Sequence, residues 1–235
     1  MAERRLAVVT GAAGGIGRAL AAGFADAGYE VVGTDRVEVA RAAGDTDRHR
    51  SVVLDARDAG AVARFGAGLD RLDVLVNAAG VNRREEEYDL AMFEEVVDVN
   101  LTAVMSMSSA CRPALARANG AIVNIASMYS FFGAPHAPAY AASKGGIAQL
   151  TKSLAVAWAT ENIRVNALAP GWIATPMTRA VRDDPARSGA VVARTPLGRW
   201  GEPADLVGPA LFLASEAARF VTGVVLPVDG GYSVA

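Results

Sequence analysis

Seven short apolar runs, separated by longer stretches of helical character, limit what this chain can fold into more than any other feature. The runs are 6–10, 30–34, 51–54, 73–76, 121–126, 163–168 and 224–228, and helix candidates lie near 15–27, 58–69, 90–118, 138–160 and 203–217. Several runs are continuous and rich in valine, the pattern of strands covered on both faces. Regular strand-helix alternation implies an α/β fold with a doubly wound parallel sheet of seven strands, because each helix must carry the chain back to the same end of the sheet. Right-handed crossovers then gather every strand's carboxyl end on one rim, where ligands bind. At 235 residues, 52% hydrophobic and 20% charged, the chain has material for one sizeable core, so residues 1–235 read as a single domain. The longest stretch without a pattern, about 170–203, is rich in Pro, Gly, Thr and Arg. Its portion 172–200 is expected to be a mobile lid over a site.

Bulk chemistry narrows the partners. A net charge of −2 offers no attraction to nucleic acid or an anionic membrane. The single cysteine, Cys111, cannot form an internal disulfide, and its apolar helical setting reads as core filler in a reducing compartment, the cytoplasm. Met1-Ala2-Glu3-Arg4-Arg5 leads directly into the run 6–10, which is too short for a signal peptide or a membrane span. His49 and His136 lie far apart with no cysteine or carboxylate at ligand spacing, so no metal site is expected.

Polar and glycine residues stand directly after the runs: Gly11, Asp35, Asp55, Asn77, Ser127 and Pro170. The first of these opens Thr10-Gly11-Ala12-Ala13-Gly14-Gly15-Ile16-Gly17, which joins a strand to a helix. Glycines let backbone approach a pyrophosphate closely, and the helix N-terminus supplies free N–H groups and a positive dipole end. A plain structural turn has the same composition. Asp35, eighteen residues after Gly17, adds the nucleotide context. A carboxylate there accepts from the ribose hydroxyls and repels a 2′-phosphate, which favours NAD over NADP. Arg36 is the one neighbouring residue able to serve that phosphate, and no basic residue sits inside the loop.

Tyr140 and Lys144 stand four residues apart, with Ser127 thirteen residues upstream of Tyr140. Positions i and i+4 share one helix face, so a phenol and an ammonium can meet there. A nearby cation is expected to lower the tyrosine pKa and make it a proton donor and acceptor near neutral pH. The choice of lysine is pointed, since only Lys144 and Lys152 are lysines among 23 basic residues. A compact ammonium can approach a phenol and a ribose as a planar guanidinium cannot.

Taken together, Thr10-Gly11-x-x-x-Gly15-x-Gly17, Asn77-Ala78-Ala79-Gly80, Asn100, Ser127, Tyr140-x-x-x-Lys144, Pro170-Gly171 and Val228-Asp229-Gly230-Gly231-Tyr232 resemble the short-chain dehydrogenase/reductase family over essentially the whole chain. Ala78 departs from the second asparagine that the family often has. The resemblance implies a Rossmann-type fold and a hydride transfer between a nicotinamide and a CH–OH group. It makes Tyr140 the general acid/base, Lys144 the holder of the nicotinamide ribose, and Ser127 the hydrogen-bonding partner of the substrate oxygen. Asn100 would hold a water linking Lys144 to solvent. Gly11, Gly14, Gly15, Ile16 and Gly17 would cradle the pyrophosphate, with Asp35 and Arg36 at the adenosine ribose and Asp55 beside the adenine. Asn77, Ala78 and Gly80 would line the adenosine side, and Pro170, Gly171, Ile173 and Thr175 the nicotinamide side.

Two segments flank this site: Gly80-Val81-Asn82-Arg83-Arg84-Glu85, and Ala126-Ser127-Met128-Tyr129-Ser130-Phe131-Phe132-Gly133. Both resemble dehydrogenases of sugar acids, the 2-dehydro-3-deoxy-gluconate and gluconate dehydrogenases. An arginine at the rim can bind a carboxylate bidentately, so Arg83 or Arg84 is the expected partner of an acid, with Ser127, Met128, Tyr129 and Trp172 around it. A 3-oxoacyl-[acyl-carrier-protein] reductase shares the same four catalytic residues and is the alternative enzyme, although Asp35 disfavours the NADPH it would use. A dinucleotide-sensing protein without turnover is the alternative of another class. Ala142, Gly145, Gly146 and Ala148, followed by Leu150, Leu154 and Trp158, read as a helix partly given to an intersubunit surface. The resemblance implies a homotetramer.

Overall fold

A computed structural model describes residues 5–39 and 49–235. The opening residues Met1 to Arg4 lie outside the described residues. Seven strands, β1 (Leu6–Thr10), β2 (Glu30–Asp35), β3 (His49–Val53), β4 (Val74–Asn77), β5 (Ala121–Ile125), β6 (Arg164–Pro170) and β7 (Val225–Val228), form one sheet in the order β3-β2-β1-β4-β5-β6-β7. Every pairing is parallel. The order reverses between β1 and β4, so their carboxyl ends open the crevice where such sheets bind ligands.

Period-two alternation sends successive strand residues to opposite faces. Ala7, Val9, Val31, Val74, Val76, Val123 and Leu168 pack on one face with Leu20 and Phe24 of α1 (Gly15–Asp26) and Leu213 of α8 (Val207–Ala214). Val8, Val32, Leu75, Ile122 and Val165 pack on the other face with helices α2 (Ala59–Ala67), α4 (Ala103–Ala118) and α5 (Pro138–Ala157). This two-sided burial is why the strand sequences are continuously apolar. Cys111 lies fully inside the second layer, where burial pushes its thiol up to about 12.

Three features differ from the sequence expectation. The helix read over 90–118 is broken: α3 (Leu90–Val97) passes into a π-helical turn at Asp98–Thr102 before α4 begins. Such bulges insert an extra residue per turn and recur at functional sites. The stretch 170–203 is not patternless, since it holds α6 (Arg179–Arg182) and α7 (Pro185–Arg194). Helix α7 has Pro185 in its first turn, and Asp184 accepts from Ala186 N and Arg187 N at 3.0 and 3.1 Å. Thr, Pro and Arg hid a short helix whose stability comes from its cap. Finally, Gly146 of α5 serves the subunit's own packing, because a Cβ there would stand 2.7 Å from Leu101. Leu154 and Trp158 are likewise in the core, whereas Gly145 faces open space.

Candidate active site

The glycine turn forms because Gly11, at φ +69°, lies against Ala79, where a Cβ would come within 2.7 Å of backbone. Gly17 is equally constrained, since its Cβ would overlap Gly11 O at 2.1 Å. Thr10 Oγ1 accepts from both Ala78 N and Ala79 N at 3.1 Å and so binds the ends of β1 and β4 together. Gly14 caps α1 without a side-chain hydrogen bond, and no acidic residue occupies the first turn. The N–H groups at Gly15, Ile16 and Gly17 therefore face the crevice with the helix dipole behind them, a donor set suited to a pyrophosphate.

Asp35 ends β2 and folds over this loop. Its Oδ2 accepts from Ala13 N at 3.1 Å, and Oδ1 accepts from Val37 N at 3.4 Å. Arg36 is exposed beside it. Asp55 is held by Arg57 through Nε at 3.2 Å and Nη2 at 2.9 Å, and these bonds keep its carboxyl below the usual carboxylate range. Asn77 turns its side chain into the core, donating to Ser108 Oγ at 3.1 Å and Asn124 Oδ1 at 2.9 Å. Its amide nitrogen joins β4, β5 and α4, while Oδ1 is buried without a partner among the described residues, so the side chain turns inward and does not face the rim as the sequence suggested.

The four residues of the expected catalytic set converge beyond the end of β5. Ser127 follows the strand and caps the short turn Met128–Ser130. Its Oγ accepts from Tyr129 N at 3.2 Å and acts on the Tyr140 phenol, favouring its ionised form. Ser130 Oγ donates to Lys144 O at 2.6 Å, which fixes this turn to α5. The i,i+4 pair meets as expected, with Lys144 Nζ 5.6 Å from the Tyr140 ring centroid. The pKa expectation is reversed, however. Burial pushes the phenol up to about 12, with the Ser127 hydroxyl opposing and Tyr129 and Glu87 adding to the rise. Burial also pushes the Lys144 ammonium down to about 8. That ammonium donates to Ile125 O at 2.7 Å instead of to the phenol. Two of its three N–H donors have no protein acceptor among the described residues, and they lie beside Gly80.

Asn100 sits on the π-helical turn, fully buried. Its side chain pairs with the Val81 backbone in both directions, accepting from N at 2.8 Å and donating to O at 2.9 Å, and also donates to Ser143 Oγ at 3.1 Å. Ser143 Oγ in turn donates to Tyr140 O at 2.8 Å. The Asn100 side chain is thus engaged in holding the loop after β4 against α5. This explains an asparagine in the middle of a helical stretch.

The two adjacent arginines separate. Arg83 Nη2 pairs with Glu95 at 2.8 Å. Arg84 adopts φ +53°, a left-handed conformation that costs a residue with a Cβ, and Asn82 Oδ1 accepts its N–H at 2.9 Å. Its Nη1 is buried and has no hydrogen-bond partner among the described residues. Its charge acts on Tyr129 and His136. Tyr129 stands edge-on to Tyr140 at 6.3 Å, Trp172 at 6.5 Å and His136 at 6.1 Å, so it forms the centre of an aromatic wall beside the phenol. Met128 is buried and contributes packing, not a free face.

Beyond β6, Pro170 pairs with Val228, and Gly171 N donates to Val228 O at 3.1 Å. Ile173 is buried and bridges Gly201, and Thr175 lies against Gly15. The segment after β6 therefore returns to the glycine loop. A separate cavity beneath it is lined by Trp172, Ile173, Leu197 and Gly230. Glu87, near the chemistry, went unread in the sequence, and His136 was considered there only as a metal ligand. Glu87 was hidden in an acidic run, Glu85-Glu86-Glu87, with nothing local to show which member turns inward.

Residues 11–233 match the family described as Enoyl-(Acyl carrier protein) reductase. The 2-dehydro-3-deoxy-D-gluconate 5-dehydrogenase of Escherichia coli (strain K12) is 42% identical over 248 residues, covering 98% of this chain and 96% of that protein. The galactitol 2-dehydrogenase (L-tagatose-forming) of Cereibacter sphaeroides is also 42% identical, over 97% of this chain and 94% of that protein. A solved gluconate 5-dehydrogenase from Burkholderia cenocepacia J2315, in complex with NADP and tartrate, has a TM-score of 0.88 at 35% identity, covering 98% of this chain and 96% of that one. With the switch-point crevice, the glycine loop and the converging Ser127, Tyr140 and Lys144, these likenesses identify the chain as a member of the short-chain dehydrogenase/reductase family, an NAD(P)-dependent dehydrogenase acting on CH–OH groups.

Proposed function

We propose that the protein interconverts a secondary alcohol and a ketone on a sugar acid, with Tyr140 as acid/base, Ser127 orienting the reacting oxygen and Lys144 holding the cofactor ribose. The bound nicotinamide dinucleotide supplies or accepts the hydride. Tyr140 carries its proton in the free protein and so stands ready to protonate a ketone oxygen. In the oxidative direction it must first give that proton up. Ser127, which follows β5 and acts on the Tyr140 phenol, is the residue beside which the substrate oxygen would rest. Asn100 keeps the Gly80–Arg84 loop in register with α5, and the aromatic wall of Tyr129 and Trp172 limits water.

The observation that carries the acid over a neutral polyol is Arg84, whose buried, unpartnered nitrogen on a left-handed backbone supports a carboxylate partner. Sequence identity does not choose, because an acid dehydrogenase and a galactitol dehydrogenase match equally well at 42%. For the nucleotide we infer a preference for NAD, supported by the Asp35 carboxylate folded over Ala13 and by the lack of a basic residue in the loop. The Burkholderia cenocepacia relative binds NADP, so Arg36 is the residue on which the opposite outcome would rest. The test is a panel of gluconate, 2-dehydro-3-deoxy-gluconate, glucitol and galactitol against both nucleotides. Turnover of a neutral polyol at least as efficient as that of every acid overturns the substrate reading, and an equal or lower KM for NADP overturns the nucleotide reading. Exposed Val156 on α5, Phe212 on α8, and Phe220 and Val224 near β7 support a homotetramer, which light scattering of the full chain at micromolar concentration checks.

A further inference from the structure

We propose that Glu87 is a positioning residue whose single carboxylate locks the substrate loop after β4 to the first turn of the catalytic helix α5. Glu87 is 1% exposed, on the short 3-10 helix Arg84–Tyr88. Its Oε1 accepts from Arg83 N, and its Oε2 accepts from Tyr140 N, each at 2.9 Å. Tyr140 lies two residues after Pro138, among the N–H groups that a helix cannot satisfy internally. Ala137 at the N-cap has no side-chain oxygen to offer, so the cap comes from 53 residues away. A negative charge is favoured at that end of the helix dipole.

The same side chain therefore fixes two things at once: the backbone that precedes Arg84, and the backbone that carries the reacting phenol. Tyr88 Oη adds a second tie, donating to Pro135 O at 2.8 Å. Only a carboxylate presents two acceptors to converging N–H groups, since glutamine would turn its own donor toward one of them. Glu87's charge reaches Tyr140 on α5 and His136 before it, and His136 also feels Arg84 and Glu85 from the strut's own segment and Arg187 from α7. The Arg83 guanidinium is neutralised by Glu95. Glu87's charge also raises the Tyr140 pKa, behind burial and Tyr129. Glu87 so links where the substrate is held to when the phenol gives up its proton. The part of this that concerns substrate affinity rests on the reading of Arg84 as the partner of a carboxylate.

The experiment uses the full chain with Glu87→Gln and Glu87→Asp. Hydrogen–deuterium exchange is followed in peptides containing the Arg83 and Tyr140 amides, and tyrosine ionisation is followed by ultraviolet absorbance, with Tyr140 assigned by difference from Tyr140→Phe. In Glu87→Gln, exchange at one or both amides should accelerate by about tenfold or more while the sheet keeps its protection. Tyr140 should then ionise at lower pH. Glu87→Asp retains the charge but is one methylene shorter, so it should keep the tyrosine titration and lose one of the two protected amides. If Glu87→Gln does not fold, the aspartate variant supplies the same amide readout. With gluconate as probe, Glu87→Gln should raise KM by about tenfold, and glucitol KM should stay within about threefold. Wild-type protection at both amides, or protection lost equally across the sheet, overturns the proposal. If Arg84→Ala handles gluconate and glucitol alike, the carboxylate reading of Arg84 falls, and the strut is still judged on the two amides.

Discussion

Arg84→Gly should make this protein more stable and a poorer enzyme for acids. The backbone at Arg84 sits at φ +53°, where a residue with a Cβ is strained by about 1–2 kcal/mol. Glycine removes that strain but returns about 0.5–1 kcal/mol through greater freedom in the unfolded chain. Removing a buried guanidinium nitrogen that lacks a partner relieves about a further 1–3 kcal/mol, partly offset by the packing of the lost stem. The net is a gain of about 1 kcal/mol, or about 3 °C in Tm for a chain of this length. Against this, loss of a charge-assisted pair with a substrate carboxylate costs about 2–3 kcal/mol, so kcat/KM for gluconate should fall by about 30- to 150-fold. Glucitol should change by less than about threefold. Thermal unfolding followed by circular dichroism, together with paired kinetics on the two substrates, reads both effects. A lower Tm would mean that Arg84 is kept for the fold. An equal loss on both substrates would mean that its charge does not meet a carboxylate.

Tyr140→Phe should lower kcat by about 10²- to 10⁴-fold in steady-state assays with little change in Tm, because only the proton-transferring oxygen is lost; near-wild-type turnover would remove Tyr140 from the chemistry. Lys144 is 4% exposed, and its pKa is lowered from 10.5 to about 8. The unfolded chain therefore binds more protons between those values, and the burden on the fold is lifted as pH rises from about 8 to about 10.5. Urea unfolding of wild type should gain on the order of 3 kcal/mol over that window relative to Lys144→Met, and parallel pH curves for the two would show that burial does not disfavour the ammonium. Gly17→Ala would place a methyl 2.1 Å from Gly11 O, so the glycine turn must open. Nucleotide affinity should fall by more than about tenfold, read by quenching of tryptophan fluorescence, and unchanged affinity would show that the turn is not the phosphate cradle.

Much of the fold was legible because its signals are local. Each strand lies within about two residues of its apolar run, since the central strands are buried on both faces and only the edge strands β3 and β7 carry exposed positions. The helix read over 90–118 failed at Asp98–Thr102, because a π-helical turn has no composition of its own. Asn100 was the clue, a poor helix former whose amide pairs with Val81 nineteen residues away. Helices α6 and α7 were missed because Pro185 and Asp184, which punctuate loops elsewhere, start a helix here. At the site, Ser127, Tyr140 and Lys144 could be placed because two of them are one helical turn apart and the third ends a strand. Asn77 looked like a rim residue for the same reason, yet its amide is drawn into the core by Ser108 and Asn124.

The sequence by itself determined the order of the elements, the rim on which the site lies and the reaction the chain can run. Side-chain periodicity and strand-end chemistry depend on neighbours within a few residues. Only the tertiary structure decided which of two adjacent arginines is ion-paired, because the answer lies with Glu95. It also decided which of three consecutive glutamates turns inward, because the donors that draw it come from two separate segments, one of them 53 residues away. The Tyr140 pKa, raised and not lowered, has the same origin. Desolvation sums over every element packed around a group, and no spacing along the chain encodes that sum.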